Sequence, residues 1–219
     1  MTPILYGIPA SPHVLIARAG LEELGVVYKL VTAVPHGQDP EFVRVSPLGK
    51  VPALTDGDFS VDDSTAIVSY FDYKLHGNDK KSIFGNDPQS RARIVKFEKY
   101  LQIEGFDLAS RFFRHFRNGG SIEQLTEIQR NAIKVLDYLE SELQDNGHFV
   151  GSSYTAADTA LVARLMAYHL ARQTLDNNKH PKLSSAYEKA IKEARFSKIL
   201  SDAEAMMGKL ADRSAESTP

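Results

Sequence analysis

The first quarter of the chain combines short apolar runs with one helical pattern. The runs PILYG and VVYKLVT are rich in β-branched and aromatic residues, which predicts two short strands. Between them, apolar residues recur at the spacing of one helix face, and Gly25 predicts where that helix ends. The apolar positions of this first helix are Val14, Ala17, Leu21 and Leu24.

A β-hairpin and a second helix follow. The segment KVPALTDGDFSV carries two short strand patterns around Asp56 and Gly57, a dipeptide typical of tight hairpin turns. The next segment, DDSTAIVSYFDYKL, begins with residues that favour a helix start and has apolar side chains at helical intervals. The predicted order is therefore β-α-β-(loop or helix)-β-β-α, a small α/β domain over residues 1–77.

The rest of the chain predicts helices alone. Residues 78–90 are polar and contain Gly, Asn, Asp and Pro, which is typical of a linker. Beyond them no strand pattern is convincing, so residues 91–212 are predicted to form an all-helical (all-α) C-terminal domain. Residues 213–219 are predicted to be a flexible tail. The helical patterns cover 91–117, about 122–145, 155–172 and about 183–210.

Composition narrows the kind of protein. The 219 residues are 42% hydrophobic and 25% charged, with a net charge of −2. These values are typical of a globular protein and give no reason to expect nucleic acid as the main partner. No run of about 18 apolar residues predicts a membrane span, and the first residues lack the regions of a signal peptide. Because the chain contains no cysteine, we expect a cytoplasmic protein in which thiol chemistry uses the ligand's thiol.

The sequence carries no recognisable metal or nucleotide motif. Its seven histidines form neither an H-x-x-x-H pair with a further ligand nor H-E-x-x-H, so we expect no metal site. No G-x-G-x-x-G or Walker-type loop occurs either. Nucleotide binding therefore has no support.

The junction between the first strand and the first helix contains a candidate for chemistry. Ser11 precedes Pro12, and serine at the N-cap followed by proline at the first helical position is a favoured helix start. One hydroxyl can cap an N–H group and also donate its own hydrogen outward. On this pattern alone, both a capping role and a chemical role stay open for Ser11.

Four segments resemble the glutathione S-transferase family. SPLGKVPAL at 46–54 and DDSTAIVSYF at 62–71 are similar to the family's N/S-P-x-G-x-V-P-x-L run and E/D-S-x-A-I helix start. YTAADTAL at 154–161 and HPKLSSAYEKAIKEARFSKIL at 180–200 resemble its helix-6 capping element and closing helices. The resemblance is to the cytosolic family, in a serine-type class of bacterial or fungal character. It implies a thioredoxin-like N-terminal domain, a helical C-terminal domain and a homodimer.

The resemblance assigns part of a glutathione site. It implies a cis bond between Val51 and Pro52, which turns the Val51 backbone toward the cysteinyl part of glutathione for strand-like pairing. Lys50 lies beside this bond and is a candidate to meet a carboxylate. His36 and Gln38 lie in the loop where the family often binds the glycine carboxylate.

Asp63 and Ser64 open the second predicted helix, and two interpretations apply to them. As capping residues they satisfy free N–H groups of the first turn. A helix N-terminus with a hydroxyl also suits a carboxylate. In the family, this pair of positions holds the γ-glutamyl end of glutathione, with glutamate more common than aspartate at the first. The resemblance therefore implies that both residues bind glutathione.

The resemblance also places Ser11 beside the sulfur of glutathione. Some classes use a serine there to stabilise the thiolate, whose parent thiol has a reference pKa of about 8.5. Classes that use tyrosine carry it earlier in the first strand, which makes Tyr6 the rival, although its place within the strand favours a core position. His13, in the first helical turn, is either a surface histidine or a residue near the same sulfur, where its imidazole could donate a hydrogen bond. In the second case it is assigned to the second-substrate pocket.

The segment RFFRHFR is the candidate for contacting the second substrate. Phe112 and Phe116 are four residues apart and so share a helix face, with Phe113 nearby. One interpretation is an amphipathic helix with packed aromatic rings and solvated arginines. The other is an apolar pocket in which Arg111 or Arg114 favours anionic substrates.

Thr155 and Asp158 form a capping-box pattern, S/T-x-x-D, at the start of a C-terminal helix. Here the structural interpretation is preferred. Loss of such a cap typically costs about 1 kcal/mol. We expect these residues to matter for folding and not for catalysis.

The sequence thus predicts a glutathione S-transferase that adds the glutathione thiolate to an electrophilic, largely apolar small molecule. Glutathione is the expected co-substrate, and no metal, nucleic acid or membrane is expected as a partner. Two alternatives stay open: glutathione-dependent isomerisation, dehalogenation or peroxide reduction, and a non-catalytic relative that uses the fold for protein interaction. The absence of cysteine argues against a thiol-transferase that uses its own cysteine.

Overall fold

The structure is a computed structural model that describes residues 1–76 and 82–216 and, within them, all side chains except those of 106, 107, 117 and 210–216. Short strands alternate with helices in the first part, and long helices follow. In chain order the elements are β1 (Ile4–Tyr6), α1 (Pro12–Glu23), β2 (Lys29–Val31), α2 (Pro40–Val45), β3 (Ala53–Asp56), β4 (Phe59–Asp62), α3 (Ser64–Leu75), α4 (Pro88–Ile103), α5 (Phe106–Asn118), α6 (Ile122–Glu142), α7 (Ala156–Leu170), α8 (Pro181–Lys192) and α9 (Ala194–Glu216).

Within the described residues, the strands form one sheet in the order β2-β1-β3-β4. β1 and β2 are parallel and connected through α1, whereas β3 is antiparallel to both of its neighbours. The β3–β4 hairpin turns at Gly57, whose φ of 62° lies in the left-handed region that glycine tolerates. Ala53, the first residue of β3, pairs with Tyr6 at the end of β1 and with Asp62 at the end of β4. The ends of β1 and β4 therefore lie beside the start of β3.

Helix α1 packs closely against its neighbours because glycines stand at two of the contacts. A Cβ atom on Gly7 would come within 2.4 Å of Val14 Cγ2, and one on Gly20 within 2.5 Å of Val68 Cγ2. Any larger residue would push α1 away from the end of β1 or from α3. The close approach fixes where α1 begins, and with it the position of the residues in its first turn.

The largest apolar cluster extends across both halves of the chain. Most of its members come from α4 to α9, but it also includes residues of α1 such as Leu15 and Ile16. The same helix packs on its other side against the sheet and α3. Two ion pairs connect α1 to α9: Arg18 Nη2 with Asp202 Oδ2 at 2.5 Å, and Arg195 Nη1 with Glu23 Oε2 at 2.6 Å.

The single helix predicted over 91–117 is wrong, because α4 and α5 are separated by a break at Gly105. The Gly105 N–H donates to the carbonyl oxygen of Tyr100 at 3.3 Å, five residues back instead of four. The carbonyl oxygen of Leu101 accepts instead from Nε of Arg164 on α7, at 2.8 Å. A hydrogen bond from a distant helix thus satisfies a carbonyl group at the end of α4. The spacing of apolar residues along the chain does not predict this contact.

The single helix predicted over about 183–210 is also wrong, because α8 and α9 are divided at Glu193. Glu193 has an extended backbone (φ −74°, ψ 130°), and its carbonyl oxygen accepts the Ser197 N–H that starts α9. Helix α9 then continues to Glu216 and includes part of the segment 213–219, for which a flexible tail is predicted. Residues 217–219 lie outside the described residues.

Helix α4 begins inside the predicted linker, 78–90, because Asp87 caps its first turn. Asp87 Oδ1 accepts from the N–H groups of Gln89 and Ser90 at 3.0 and 2.9 Å. Pro88 occupies the first helical position, where its missing N–H is not needed. Residues 78–81 of the linker lie outside the described residues.

The capping box predicted at the start of α7 is confirmed. Asp158 N donates to Thr155 Oγ1 at 3.4 Å, and Thr155 N donates to Asp158 Oδ2 at 2.8 Å. The second carboxylate oxygen, Oδ1, accepts from the N–H of Phe149 at 2.8 Å. Asp158 therefore connects the preceding loop to the helix, in addition to capping it.

Candidate active site

Three segments that carry candidate residues meet at one edge of the sheet. Ser11 begins α1 shortly after β1, Pro52 directly precedes β3, and Ser64 begins α3 shortly after β4. Because β3 is antiparallel to β1 and β4, these three positions lie at the same edge. The N-termini of two helices are therefore close to one another, and a helix N-terminus favours negative charge.

Ser11 occupies the N-cap position of α1, but its hydroxyl does not cap the helix. Its backbone is extended, with φ −68° and ψ 128°, and its carbonyl oxygen accepts the Leu15 N–H at 2.9 Å. The hydroxyl makes no cap hydrogen bond to the first turn. The capping interpretation of Ser11 is therefore wrong, and the hydroxyl of this half-buried residue is not engaged by the helix that it precedes.

Tyr6, the rival of Ser11, is a core residue. Its side chain is buried, and its ring packs against Phe42 with the ring centroids 6.4 Å apart. This agrees with the core position predicted from its place inside the first strand. Ser11 is therefore the better candidate for contact with a ligand.

The Val51–Pro52 peptide bond is cis, as the resemblance implies. Pro52 is buried at the start of β3, and its carbonyl oxygen accepts the Asp63 N–H at 3.3 Å. This hydrogen bond holds the segment before β3 against the start of α3. The structure thus brings Val51 and Pro52 next to Asp63 and Ser64.

Asp63 and Ser64 form the first turn of α3 with different environments. Asp63 Oδ1 accepts from Ala66 N at 3.0 Å, which confirms the predicted cap, and its φ of 83° is uncommon for a residue with a side chain. Ser64 is 1% exposed, and its Oγ accepts from Gln102 Nε2 at 3.2 Å. The contact with Gln102 uses Ser64 Oγ as the acceptor and does not use the hydroxyl hydrogen, which can be donated to a ligand.

The loop after β2 approaches the turn that precedes β3. The His36 N–H donates to the carbonyl oxygen of Gly49 at 2.7 Å, and Gln38 Nε2 donates to the carbonyl oxygen of His36 at 3.2 Å. A Cβ atom on Gly49 would lie 2.8 Å from His36 Cα, so this contact requires glycine. The loop carrying His36 and Gln38 therefore packs directly beside Lys50, and all three side chains are exposed.

Behind Ser64, a polar network connects α3 to α4. Gln102 Nε2 donates to Glu98 Oε1 at 2.6 Å as well as to Ser64, and it also contacts the hydroxyl of Thr65, which donates to Glu98. Glu98 is 3% exposed, and burial raises its pKa although the Thr65 hydrogen bond acts in the opposite direction. The C-terminal helices therefore hold the first turn of α3 in place.

Arg164 places a positive charge in the interior next to this network. Its side chain is fully buried; Nε donates to the carbonyl oxygen of Leu101 at 2.8 Å and Nη2 to that of Gln102 at 3.2 Å. Burial lowers the pKa of Arg164 to about 10, opposed by the charge of Glu98. The guanidinium is therefore still protonated at neutral pH.

His13 is neutral at physiological pH. Burial, followed by the positive charge of Arg164, lowers its pKa to about 4, and the charge of Asp63 opposes this shift. The side chain is half-buried, so the interpretation as an ordinary surface histidine is wrong. A neutral imidazole in the first turn of α1 can donate one hydrogen bond and accept another.

The three phenylalanines of α5 do not form one pocket wall. Phe112 is fully buried and meets Tyr168 edge-on with ring centroids 6.0 Å apart, so its assignment to the second-substrate pocket is wrong. Phe113 is partly buried against the large apolar cluster, whereas Phe116 is 52% exposed. Phe112 and Phe116 differ because α5 leaves the core toward its end. Arg111 and Arg114 are exposed.

Neither a metal site nor a membrane segment is evident in the part of the chain that the structure describes. In residues 1–76 and 82–216, no group of three or more His, Cys, Asp or Glu side chains is arranged to hold a metal ion. None of the helices there combines the length and apolarity needed to cross a bilayer.

Sequence reasoning missed Glu98, Gln102 and Arg164. Arg164 has a detectable signal, since a single positive charge within the otherwise apolar segment ALVARLMAY indicates a buried group with a specific partner. Glu98 and Gln102 have none, because polar residues four positions apart are common on any solvated helix. Their role depends on α3 packing nearby, which only the tertiary structure provides.

A mixed four-stranded sheet followed by a helical domain defines a two-domain class of protein with its candidate site beside the sheet. Residues 5–78 match the family described as the N-terminal domain of glutathione S-transferase, and residues 108–200 match its C-terminal domain. Glutathione S-transferase 3 from Zea mays is 30% identical over 174 residues, covering 72% of this chain and 75% of the maize protein. The chain belongs to the glutathione S-transferase family, as its motifs predict.

Solved structures share the fold. Glutathione S-transferase isozyme E7 from Drosophila melanogaster superimposes with a TM-score of 0.81 at 23% identity, covering 96% of each chain. A glutathione S-transferase from Methylobacillus flagellatus, solved with glutathione bound, gives a TM-score of 0.75 at 24% identity, covering 90% of this chain and 98% of that one. The predicted fold, a thioredoxin-like domain followed by an all-helical domain, is confirmed.

Proposed function

We propose that this chain is a glutathione transferase of a serine-type class, which adds the glutathione thiolate to an electrophilic, largely apolar small molecule. The observation that carries the proposal is the convergence of Ser11, Pro52 and Ser64 at one edge of the sheet. Family membership supports it, since the curated relatives from Zea mays and Hyoscyamus muticus are named glutathione S-transferases. Glutathione is the co-substrate in this proposal.

Ser11 is the proposed donor to the glutathione sulfur. Its hydroxyl is not used in capping, and it stands at the N-terminus of a twelve-residue helix whose dipole favours an anion. Glutathione's thiol has a reference pKa of about 8.5, so most of it is protonated at neutral pH. Lowering that pKa by one unit corresponds to about 1.4 kcal/mol of preferential thiolate stabilisation, within the reach of one charge-assisted hydrogen bond.

The rest of glutathione is proposed to lie along the start of β3 and α3. The Ser64 hydroxyl, held by Gln102, donates to the γ-glutamyl carboxylate at the N-terminus of α3, and the exposed Asp63 is near enough to pair with its ammonium group. The Val51 backbone pairs with the cysteinyl part. Lys50, His36 and Gln38 are proposed for the glycine carboxylate at the far end.

The chemical step needs no redox partner. The thiol loses its proton to solvent, the sulfur lone pair of the thiolate forms a C–S bond, and the leaving group departs with the electron pair of its former bond. Neutral His13 and the partly buried Phe113 are proposed to face the electrophile. Phe116 remains a candidate for the outer edge of this region because α5 exposes its ring.

Residues 1–77 are proposed as the glutathione-binding domain, joined by the 78–90 linker to the C-terminal domain over 91–212, in a cytoplasmic homodimer. Apolar side chains that are exposed on α3 and α4, such as Tyr73 at 88% and Ile103 at 67%, support a second copy as partner. Sedimentation velocity tests the dimer directly.

Calorimetric titration with glutathione, followed by turnover of 1-chloro-2,4-dinitrobenzene, tests the function. We expect saturable binding with a dissociation constant of about 1 mM or tighter and release of one chloride per conjugate formed. No binding heat at about 10 mM glutathione would contradict every glutathione-dependent function. Binding without turnover of any electrophile would instead favour the non-catalytic alternative. Turnover confined to peroxides or to an isomerisation would favour the second enzymatic alternative.

A further inference from the structure

Two tight turns pack against each other beside the candidate site. In the first, the Gly37 N–H donates to the carbonyl oxygen of Val34 at 2.8 Å, and in the second the Gly49 N–H donates to that of Ser46, also at 2.8 Å. Both turns have proline at their second position, where its fixed φ is favoured. The His36 N–H donates to the carbonyl oxygen of Gly49 at 2.7 Å, so the two turns are in direct contact.

Apolar side chains of both turns are exposed to solvent. Val34 is 60% exposed and Leu48 is 68% exposed, and the prolines beside them, Pro35 and Pro47, are exposed as well. Single apolar side chains on a protein surface are ordinary. Here four of them, which form the two-turn surface, stand on turns that touch each other.

The two-turn surface continues into the proposed position of the glycine residue of glutathione. Lys50 directly follows the second turn, and His36 belongs to the first. The side chains of both are exposed, together with that of Gln38. Because these three residues are proposed to hold the glycine carboxylate, a side chain on the same peptide residue comes within reach of the two-turn surface.

The two ends of the proposed glutathione site differ in how far the protein encloses them. Ser64, proposed to bind the γ-glutamyl carboxylate, is 1% exposed, and Pro52 is buried. A larger group at that end would therefore meet packed protein. At the other end the neighbouring side chains are exposed, so the last residue of the peptide can be larger than glycine without displacing the protein.

We propose that the two-turn surface binds an aliphatic side chain on the last residue of the thiol co-substrate, so that γ-glutamylcysteinyl peptides ending in leucine or valine are used in addition to glutathione. The inference rests on the proposed function and extends its substrate class. The aliphatic side chain removes apolar area of Val34 and Leu48 from water, while the carboxylate of the peptide keeps its contact with Lys50. The sulfur and the chemical step stay the same.

Calorimetric titration with three peptides tests the proposal: glutathione, γ-glutamylcysteinyl-leucine and γ-glutamylcysteinyl-asparagine. Asparagine has nearly the size and shape of leucine but a polar end, so it separates an apolar contact from tolerance of a larger residue. We expect the leucine peptide to bind about 3–10-fold more tightly than glutathione, the gain from burying roughly half of a leucine side chain. The asparagine peptide should bind within about 2-fold of glutathione.

Variants of the two turns localise the contact. Leu48→Asn should lower the ratio of leucine-peptide affinity to glutathione affinity about 2–3-fold, and Val34→Thr combined with it should bring the ratio close to 1. Both side chains are exposed, so neither change opens a cavity in the core. Val27→Thr is the matched control and should keep the ratio of the unmodified protein, because Val27 is 79% exposed and precedes β2 at the opposite edge of the sheet.

Two results would overturn the proposal while glutathione still binds and the proposed function stands. One is a leucine peptide that binds no more tightly than the asparagine peptide, which would mean that the apolar contact is absent. The other is an advantage of the leucine peptide that survives in the double variant, which would place the contact elsewhere. Absence of binding by all three peptides would instead contradict the proposed function, and this inference with it.

Discussion

Arg164 Nε donates to the carbonyl oxygen of Leu101 at 2.8 Å, and this contact between α7 and α4 completes the C-terminal end of α4. The last turn of a helix has carbonyl groups without partners inside the helix. Here the partner of the Leu101 carbonyl group is a buried guanidinium that lies 63 positions away in the sequence. The same charge lies close enough to His13 to lower its pKa. Arg164 therefore stabilises the end of α4 through a hydrogen bond, and its charge also lowers the pKa of His13 in the first turn of α1.

We expect Arg164→Met to lower the free energy of unfolding by about 3 kcal/mol, because the carbonyl oxygens of Leu101 and Gln102 lose their buried donors. Arg164→Lys should be intermediate, since an ammonium group does not reproduce the forked geometry of the guanidinium. Urea denaturation measures both values. Arg130→Met, at an exposed position of α6, is the control and should change stability little. Equal effects of the two Arg164 variants would contradict this role.

Ser11→Ala should raise the pKa of the bound glutathione thiol by about 1–2 units while its affinity stays nearly constant, because the hydroxyl is proposed to stabilise only the thiolate. Thiolate absorbance as a function of pH measures this shift. The free energy of unfolding should be unaffected, since the hydroxyl makes no cap hydrogen bond. A stability loss of about 1 kcal/mol without a pKa change would restore the capping role instead. Ser60→Ala, on the exposed part of β4, is the control.

Ser64→Ala should have the complementary effect and weaken glutathione binding by about 10–100-fold, the value of one hydrogen bond to a charged group. The pKa of the bound thiol should stay as in the unmodified protein, because Ser64 is proposed to contact the opposite end of glutathione. Calorimetric titration and the thiolate absorbance profile separate the two effects. If the thiol pKa shifted as much as in Ser11→Ala, the proposed orientation of glutathione would be wrong.

His13 should make the protein less stable in mild acid. Its pKa is 6.5 in the unfolded chain and about 4 in the folded protein, so between these values the unfolded state binds more protons. The stabilisation is complete above pH 6.5 and is lost as the pH falls toward 4. From pH 7.5 to pH 5 the loss attributable to His13 is about 2 kcal/mol. Urea denaturation at both values, on the unmodified protein and His13→Asn, isolates it.

The control for this experiment is His169→Asn, because the side chain of His169 is about half exposed. It should retain the full acid sensitivity, whereas His13→Asn should lose about 2 kcal/mol of it. Identical pH dependence in His13→Asn and the unmodified protein would mean that His13 is not buried as described.

Asp158→Ala should destabilise the protein by about 2–4 kcal/mol without altering turnover at low temperature. The change removes the cap of α7 together with the acceptor for the Phe149 N–H, and each of these contributes. Thermal unfolding measures the loss, and Asp145→Ala at an exposed position is the control. A large fall in kcat for the folded variant would contradict a purely structural role.

The sequence predicts the strands and the glutathione motifs well because both are local. Asp56 and Gly57 specify their hairpin, and the residues around Pro52 and Ser64 carry their pattern within short segments. Strand register then brings the two segments together. The polar network behind Ser64 has no local sequence signal, because α3 and α4 each contribute half of its side chains.

The sequence pattern does not predict the helix breaks or the burial of Phe112, for a related reason. Apolar spacing continues through Gly105 because both α4 and α5 bury a face in the same cluster. Phe112 and Phe116 have the same spacing relationship as any pair on one face, yet one is in the core and the other is exposed. Burial along a helix depends on where its neighbours end, and that is a tertiary property.

Helix α1 belongs to the N-terminal sheet layer in sequence but packs its other side into the large apolar cluster of the C-terminal helices. Separation of the two halves would expose that face to water and break both ion pairs between α1 and α9. We therefore expect the chain to unfold as one cooperative unit and not as two independent domains. A ligand that binds the first turns of α1 and α3 should consequently protect even α9 against global unfolding, by an amount set by its concentration relative to its dissociation constant.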